Sequence, residues 1–394
     1  MKKTFLLSCL MLAAMPVMAA YTGHVYVDKN KNGVFDQSEK PLAGIKVSDG
    51  LNVVETAADG SFTLPGHERE RFIFITTPSG YKTFNRHYHK IEKKQSGYDF
   101  GLIPYSGRIR KDGSHRYIHI TDTEIFNTEN HADWVNNVRD YARNEQAAFI
   151  IHTGDICYEK GLKAHIKLMN TENMDCPVFY CIGNHDLVKG KYGEELFESI
   201  YGPVYYSFDA GNVHYIVTPM PGGDHAPGYT ADDVCRWLKN DLAHIRPGTP
   251  VVVFNHDLLT YEDAFIFKSK NAGSINLNEH NLKAWVYGHW HINYMKKQGD
   301  VYSVCTSSLD KGGIDHSTTA FRVMHVDSKG DFTSELRYTY LDKNICIASP
   351  AGVMASGVLP VAVNVYSSVS PVKEVLYTCL ADGKPVLKNK RLLQ

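Results

Sequence analysis

The sequence predicts an α/β core with a β-rich region on either side, and three observations lead there. Residues 116–305 alternate short apolar runs with amphipathic stretches at helical spacing. Residues 21–105, and those after about 306, instead alternate β-rich runs with turns. A length of 394 residues exceeds one ordinary domain and suits two or three.

The chain opens with Lys2 and Lys3, an apolar stretch from Phe5 to Val17, and the small-residue pattern Val17-Met18-Ala19. Residues 1–20 are therefore expected to be an export signal, cleaved near Ala19 or Ala20. The stretch is too short to span a membrane, and no other segment reaches about 18 apolar residues. Leu6-Leu7-Ser8-Cys9 faintly resembles a lipoprotein box, but little apolar core precedes Cys9. The expected location is periplasmic, cell-surface or secreted.

In residues 21–105 the runs "HVYV", "GIKVSDG", "VVETAADGSFTL" and "RFIFITT" show period-two alternation around Asp-Gly turns. They predict a small antiparallel sandwich. Within it, "DKNKNGVFDQSE" places Asp28, Asn30, Asn32, Asp36 and Glu39 at positions 1, 3, 5, 9 and 12 of a loop, with Gly33 at position 6. That is the oxygen-donor spacing of an EF-hand loop, which wraps one large hard cation such as calcium. The flanks read as strands, not helices, so a polar hairpin turn is the other reading.

In residues 106–340, apolar runs at 117–120, 147–151, 177–182, 250–254 and 284–287 read as buried strands. Between them, Trp134, Val135, Val138, Tyr141 and Ala142 recur at helical spacing, as do Val234, Trp237, Leu238, Leu242 and Ile245. Thr230 is the expected N-cap of the second helix. "YYSFDAGNVHYIVT" reads as an antiparallel hairpin attached to the sheet. Residues 341–394 hold two or three strand-like runs, too few for an independent sandwich, and are expected to be a partial β region.

Charge and cysteine narrow the function classes. Lys and Arg number 42 against 43 Asp and Glu, so no basic field points to nucleic acid or anionic membrane. Seven cysteines remain after the signal, and an odd number over so long a chain is no disulfide framework. Cys157, Cys176, Cys181 and Cys305 lie in or beside apolar runs and read as buried small hydrophobes.

The chemistry lies at the end of each buried strand. "RYIHIT" leads into Asp122 and Glu124, "AFIIHTG" into Asp155, and "PVFYCIG" into Asn184, His185 and Asp186. "PVVVF" leads into Asn255, His256 and Asp257, and "AWVYG" into His289 and His291. In an open α/β sheet the carboxyl ends of the strands form one rim where ligands bind. One such residue is usually a cap or a turn; five polar endings together point to a site. Asp, Asn and His supply mixed oxygen and nitrogen donors suited to Mn, Fe or Zn. Their number exceeds one tetrahedral shell, which suggests two ions sharing a carboxylate. Such a pair clamps a phosphoryl oxygen and generates a hydroxide nucleophile at neutral pH. His289 and His291 lie two apart, so in an extended segment both point to one side, one for each metal.

The set "GDICYE", "GNHD", "FNHD" and "GHWH", in that order over residues 115–305, resembles the calcineurin-like metallophosphoesterases. The resemblance implies a metallophosphoesterase-type β-sandwich core flanked by helices and hydrolysis of phosphate mono- or diesters. It implies Asp122, Asp155 and His291 on a first metal, with Asn184, His256 and His289 on a second, Asp155 bridging. His185 would protonate the leaving group or stabilise phosphoryl charge, and Asp186 would orient that imidazole or cap the next turn. The sequence departs from the family's D-x-H at Glu124, which ligates the first metal, binds it through water, or faces away. Gly154-Asp155-x-x-Tyr158 resembles the purple acid phosphatase branch, whose tyrosine binds ferric iron; Tyr158 is a phenolate ligand or a pocket wall. The implied substrate is a small-molecule or glycan-linked phosphoester. A nucleotidase or cyclic-nucleotide phosphodiesterase, and an inactive calcium-stabilised binding protein, are the alternatives.

Overall fold

The structure, a computed structural model, describes residues 20–95, 97–106, 108–339, 343–350, 357, 360–367 and 372–392. The export signal expected at 1–20 lies outside these residues except for Ala20.

The core is built from two mixed sheets, five- and six-stranded. In the first, Val178–Tyr180, Phe149–His152 and His115–Ile120 run parallel. Ala320–Val326 and Phe332–Tyr338 then add antiparallel. In the second, Val213–Val217, Val251–Phe254, Leu282–Tyr287 and Val301–Cys305 run parallel. Its antiparallel edges are Tyr206–Ala210 and Tyr294–Gln298. The five buried runs of the sequence are thus all strands, but they do not share one open sheet: three lie in the first sheet and two in the second. The reason is the apolar character of both faces of each strand, which calls for a covering layer on each side.

Strand His115–Ile120 shows how the layers are assigned. Tyr117 points between the sheets, while Ile118 and Ile120 point outwards beneath a helix. Between the sheets an aromatic cluster interlocks, with the Phe149 ring 4.9 Å from Phe208 and Tyr117 5.7 Å from Tyr215. Helix α1 (Ala132–Asn144) buries Trp134, Val135, Val138 and Ala142, covering the first sheet. Helix α2 (Tyr158–Leu168) adds Ala164 to the same layer. The short α3 (Glu195–Tyr201) packs against α2. Helix α4 (Ala231–Ala243) presses Trp237, Leu238 and Leu242 onto the second sheet. Thr230 caps α4 as expected: its side chain accepts from the Asp233 amide, and the Asp233 carboxylate accepts from the Thr230 amide in return.

The N-terminal region forms two small sheets around Val25, Val47, Phe62, Leu64, Ile73, Ile75 and Leu102. It docks on the edge strand Tyr206–Ala210, where Thr76 bonds Ser207 and Lys46 lies 3.5 Å from Asp209. Arg71 adds ion pairs of 2.7 Å to Glu194 and 2.9 Å to Glu198. Towards the C-terminus, Lys343–Ser349 pairs with Ala362–Ser367, and Leu376–Ala381 with Lys384–Arg391. Cys157, Cys176, Cys181, Cys235, Cys305 and Cys379 are free thiols, the first five of them buried.

One buried ion triad makes the core pH-sensitive. His214, 1% exposed, lies 2.6 Å from Asp209 and 2.8 Å from Asp241. Burial opposes its charge, but Asp241 and Asp209 outweigh that and raise the imidazole to about 9. A raised histidine stabilises the fold fully below its unfolded value near 6.5 and loses that contribution as pH rises through 9. Thermal unfolding monitored by circular dichroism should show Tm falling from pH 6.5 to 9.5. The fall should be visibly shallower in His214→Gln.

Candidate metal centre

The carboxyl ends of the parallel strands from both sheets meet at one rim, and the chain bends sharply to turn side chains into it. Asp122, Glu124, Asp155, Cys157, Tyr158, His289 and His291 all take positive φ, between 43° and 75°. Left-handed backbone is costly for residues other than glycine and persists where the surroundings enforce it, typically at functional sites. Glycines make the close approaches feasible. A Cβ on Gly288 would stand 1.9 Å from Thr121 Oγ1, and one on Gly183 would stand 2.2 Å from Asp155 Oδ1.

Two donor groups result, linked through Asp155 and Glu124. In the first, His291 Nε2 lies 3.2 Å from Asp122 Oδ1 and 3.4 Å from Glu124 Oε1. In the second, ligand atoms of Asp155, His256 and His289 lie within 4.8 Å of one another. Asp155 also gathers with Glu124 and Cys157 within the same limit. The groups are cross-braced: the His289 amide donates to Asp122 Oδ2 at 3.0 Å, and the Glu124 amide to the Asp155 carbonyl at 3.2 Å.

Unsatisfied atoms test whether these residues fit metal ions. Asp122 Oδ1, Asn184 Oδ1 and His256 Nε2 are buried and make no hydrogen bond. A buried polar atom without a partner is costly, and three of them at one rim need a common explanation. His256 Nε2 lies 3.1 Å from Asp155 Oδ2, yet without hydrogen-bond geometry. Its other nitrogen contacts the Thr153 carbonyl at 2.8 Å, which assigns the proton to Nδ1 and leaves the Nε2 lone pair facing the site. Carboxylate oxygen, amide oxygen and imidazole nitrogen are the donors expected for Mn, Fe or Zn, so the residues fit a metal pair. Asp155 and His256 also act on each other's charge. Burial opposes ionisation of Asp155, but His256 outweighs it and holds the carboxyl below its ordinary range. Burial lowers His256 in turn, and Asp155 raises it further, to about 10.

Glu124 faces the site, so it does not turn away. Its second oxygen is paired with Lys311, a residue that nothing in the sequence motifs singles out. The lysine offsets the charge of that carboxylate. Cys157 is buried as expected, but its sulfur lies beside Glu124 and Asp155 and not merely in apolar packing. Burial and those carboxylates push its thiol upwards. His289 and His291 do serve different groups, though through two left-handed residues and not through an extended segment.

His185 lies beside the donors: its amide donates to Asp155 Oδ1 at 3.0 Å. The sequence left Asp186 as either the orienter of this imidazole or a cap of the next turn, and its hydrogen bonds go to backbone amides and not to the ring. Asp186 is buried and accepts from the Cys157 and Gly183 amides, both at 2.9 Å, so it ties two rim loops together. Burial, and after it the Asp155 charge, raises it to about 7. The carboxylate on His185 is Asp224, 2.9 Å from Nδ1, within the Gly/Pro-rich segment 219–230. Burial lowers His185, but the bond to Asp224 and the charge of Asp155 raise it on balance, favouring the protonated form. Tyr158, the first residue of α2, is 43% exposed with its ring 5.3 Å from that of His185. Partial desolvation and nearby anions raise its phenol.

Farther off, Asp257 accepts from Trp290 Nε1 at 3.1 Å, fixing the ring between the two histidines. In the N-terminal loop, Asp28 and Glu39 are buried. Asp28 accepts from the Asn32 and Gly33 amides, while Asp36 accepts from the Asn30 and Asn32 side chains. Glu39 accepts from the Lys29 and Asp36 amides. The five expected calcium donors therefore share one closed loop.

Comparison with known proteins matches residues 115–293 to the family Calcineurin-like phosphoesterase, and residues 29–104 to the N terminal of Calcineurin-like phosphoesterase. No curated protein matches the sequence. Among solved structures, the chain is similar to GAP50 of Plasmodium, the anchor in the inner membrane complex. That likeness is at 13% identity, over 63% of this chain and 89% of that one, with a TM-score of 0.37. It is also similar to an archaeal phosphodiesterase at 12% identity, over 56% and 99% of the two chains, with a TM-score of 0.28. A third likeness, to the Escherichia coli phosphoesterase YfcE, has 11% identity, covers 56% and 98%, and has a TM-score of 0.28. Members of the matched family use a dinuclear metal centre, in keeping with the two donor groups found at the rim. Residues 115–293 are thus a calcineurin-like phosphoesterase domain, and residues 29–104 its N-terminal domain.

Proposed function

We propose that the protein is an exported, metal-dependent hydrolase of phosphate mono- or diesters. One observation carries the reading: Asp155 clusters with His256 and His289 and also with Glu124 of the other group, the position a carboxylate shared by two ions would take. Asp122, Glu124 and His291 would hold one ion, and Asn184, His256 and His289 the other. When bound, the pair polarises the phosphoryl group and activates water. Around it, the chain's own residues set geometry and protons. The attack of water forms a new P–O bond as the ester P–O bond breaks. His185, held by Asp224, gives its proton to the departing oxygen.

The test is metal analysis of the purified protein beside a phosphate-release screen of an aryl phosphate and its diester, with Mn, Fe or Zn supplied. Two bound ions and turnover are expected. A protein that binds no transition metal and releases no phosphate would instead be the calcium-stabilised binding protein, the reading that the Lys311–Glu124 pair favours.

Export rests on the charged and apolar N-terminus, and cell fractionation with and without residues 1–20 checks it. Calcium in the N-terminal loop rests on the donor spacing and on the two buried carboxylates. Millimolar calcium should raise the unfolding temperature by several degrees over a chelator control, and Asp28→Ala should abolish the rise. The same curve with and without calcium would remove the ion.

A further inference from the structure

We infer that Phe126 and Tyr158 form a platform for the leaving group, and that the favoured substrates are phosphate esters carrying a planar aromatic ring close to the ester oxygen. The inference rests on the phosphoesterase reading and deepens it. His185 hands its proton to the departing oxygen, so the organic part of the ester lies on the outward side of that imidazole. There the structure places ring faces. Tyr158 lies 5.3 Å from His185, and Phe126 lies 6.3 Å beyond Tyr158 with its plane only 16° away. The two side chains are 43% and 54% exposed. Among the described residues, the aromatic side chains this exposed are Phe126, Tyr158, Tyr261 and Tyr338.

Single exposed apolar residues need no explanation, but these two continue a row that begins at the proton donor. The row presents π-faces. A linear alcohol would leave most of it uncovered, whereas an aryl or base ring stacks on it. Tyr158 acts here through its ring face, so its hydroxyl is dispensable.

Binding of phenylphosphonate and methylphosphonate to the metal-loaded protein, measured by calorimetry, isolates the platform from turnover. The native protein should prefer the phenyl compound by about 10-fold or more. Tyr158→Ala and Phe126→Ala should each shrink that ratio several-fold, and Tyr158→Phe should keep it with unchanged metal content. A preference that survives both alanine replacements, as it would if the ring lay on Trp290 and Tyr261, overturns the assignment. So does loss of metal in Tyr158→Phe, which would make the tyrosine a ligand. In turnover, phenyl phosphate and a nucleoside monophosphate should share the advantage over glycerol phosphate. An equal advantage for glucose phosphate would refute the aromatic class. If no ester is hydrolysed yet the phosphonate ratio behaves as stated, it is the phosphoesterase reading that fails, not the platform.

Discussion

Asp155→Ala should be purified without its full metal complement and with phosphate release reduced by about 1,000-fold or more. The expectation comes from position. Asp155 is 2% exposed, clusters with His256 and His289 and also with Glu124, and accepts the His185 amide. Its removal would take away the donor placed to serve both ions and the carboxylate that faces His256 Nε2. Because the side chain is buried, the fold must be checked separately. Asp155→Asn keeps the volume and the amide contact while removing the charge, and should lose metal and rate with a near-native circular dichroism spectrum. Elemental analysis and a phosphate assay on the same sample decide it. Native metal content with native turnover in both variants would end the two-metal account.

His185→Ala should behave differently, keeping both ions while kcat drops by about 100- to 10,000-fold, the range for a positioned proton donor. Its imidazole stands outside the donor groups and is held at Nδ1 by Asp224. Asp224→Ala should then cost about 10-fold, mostly in kcat, since it acts through the ring it orients. Asp186→Asn makes the sharper comparison. That carboxylate joins the Cys157 and Gly183 amides, so its loss should lower Tm first. If Asp186→Asn alone changed the pH profile of kcat while Asp224→Ala left it untouched, the assignment of the orienting residue would be reversed.

Much of this was readable in the chain because strand ends are cheap to recognise: an apolar run closed by a small or polar residue, then a donor. Asp122, Asp155, Asn184, His256, His289 and His291 all stand at such ends, and the structure brings them to one rim. What escaped has a common cause. Lys311 and Asp224 come from loops of irregular backbone, where no periodicity fixes which side chain faces inwards. Asp186 looked catalytic because it comes directly after His185, but neighbours in a tight turn diverge, and it points back to amide groups. The opposed-sheet arrangement was also hidden at the level of the rim argument. A run of buried β-branched residues says that both faces are covered without saying whether a helix or a second sheet covers them.

The two parallel sets of strands contribute to the donor groups from opposite halves of the molecule: Asp122 and Asp155 from one, His256, His289 and His291 from the other. Bound cations would therefore rivet the halves together across their seam. Chemistry and cohesion become one property, and a cell compartment poor in metal would hold a protein that is both idle and mechanically looser.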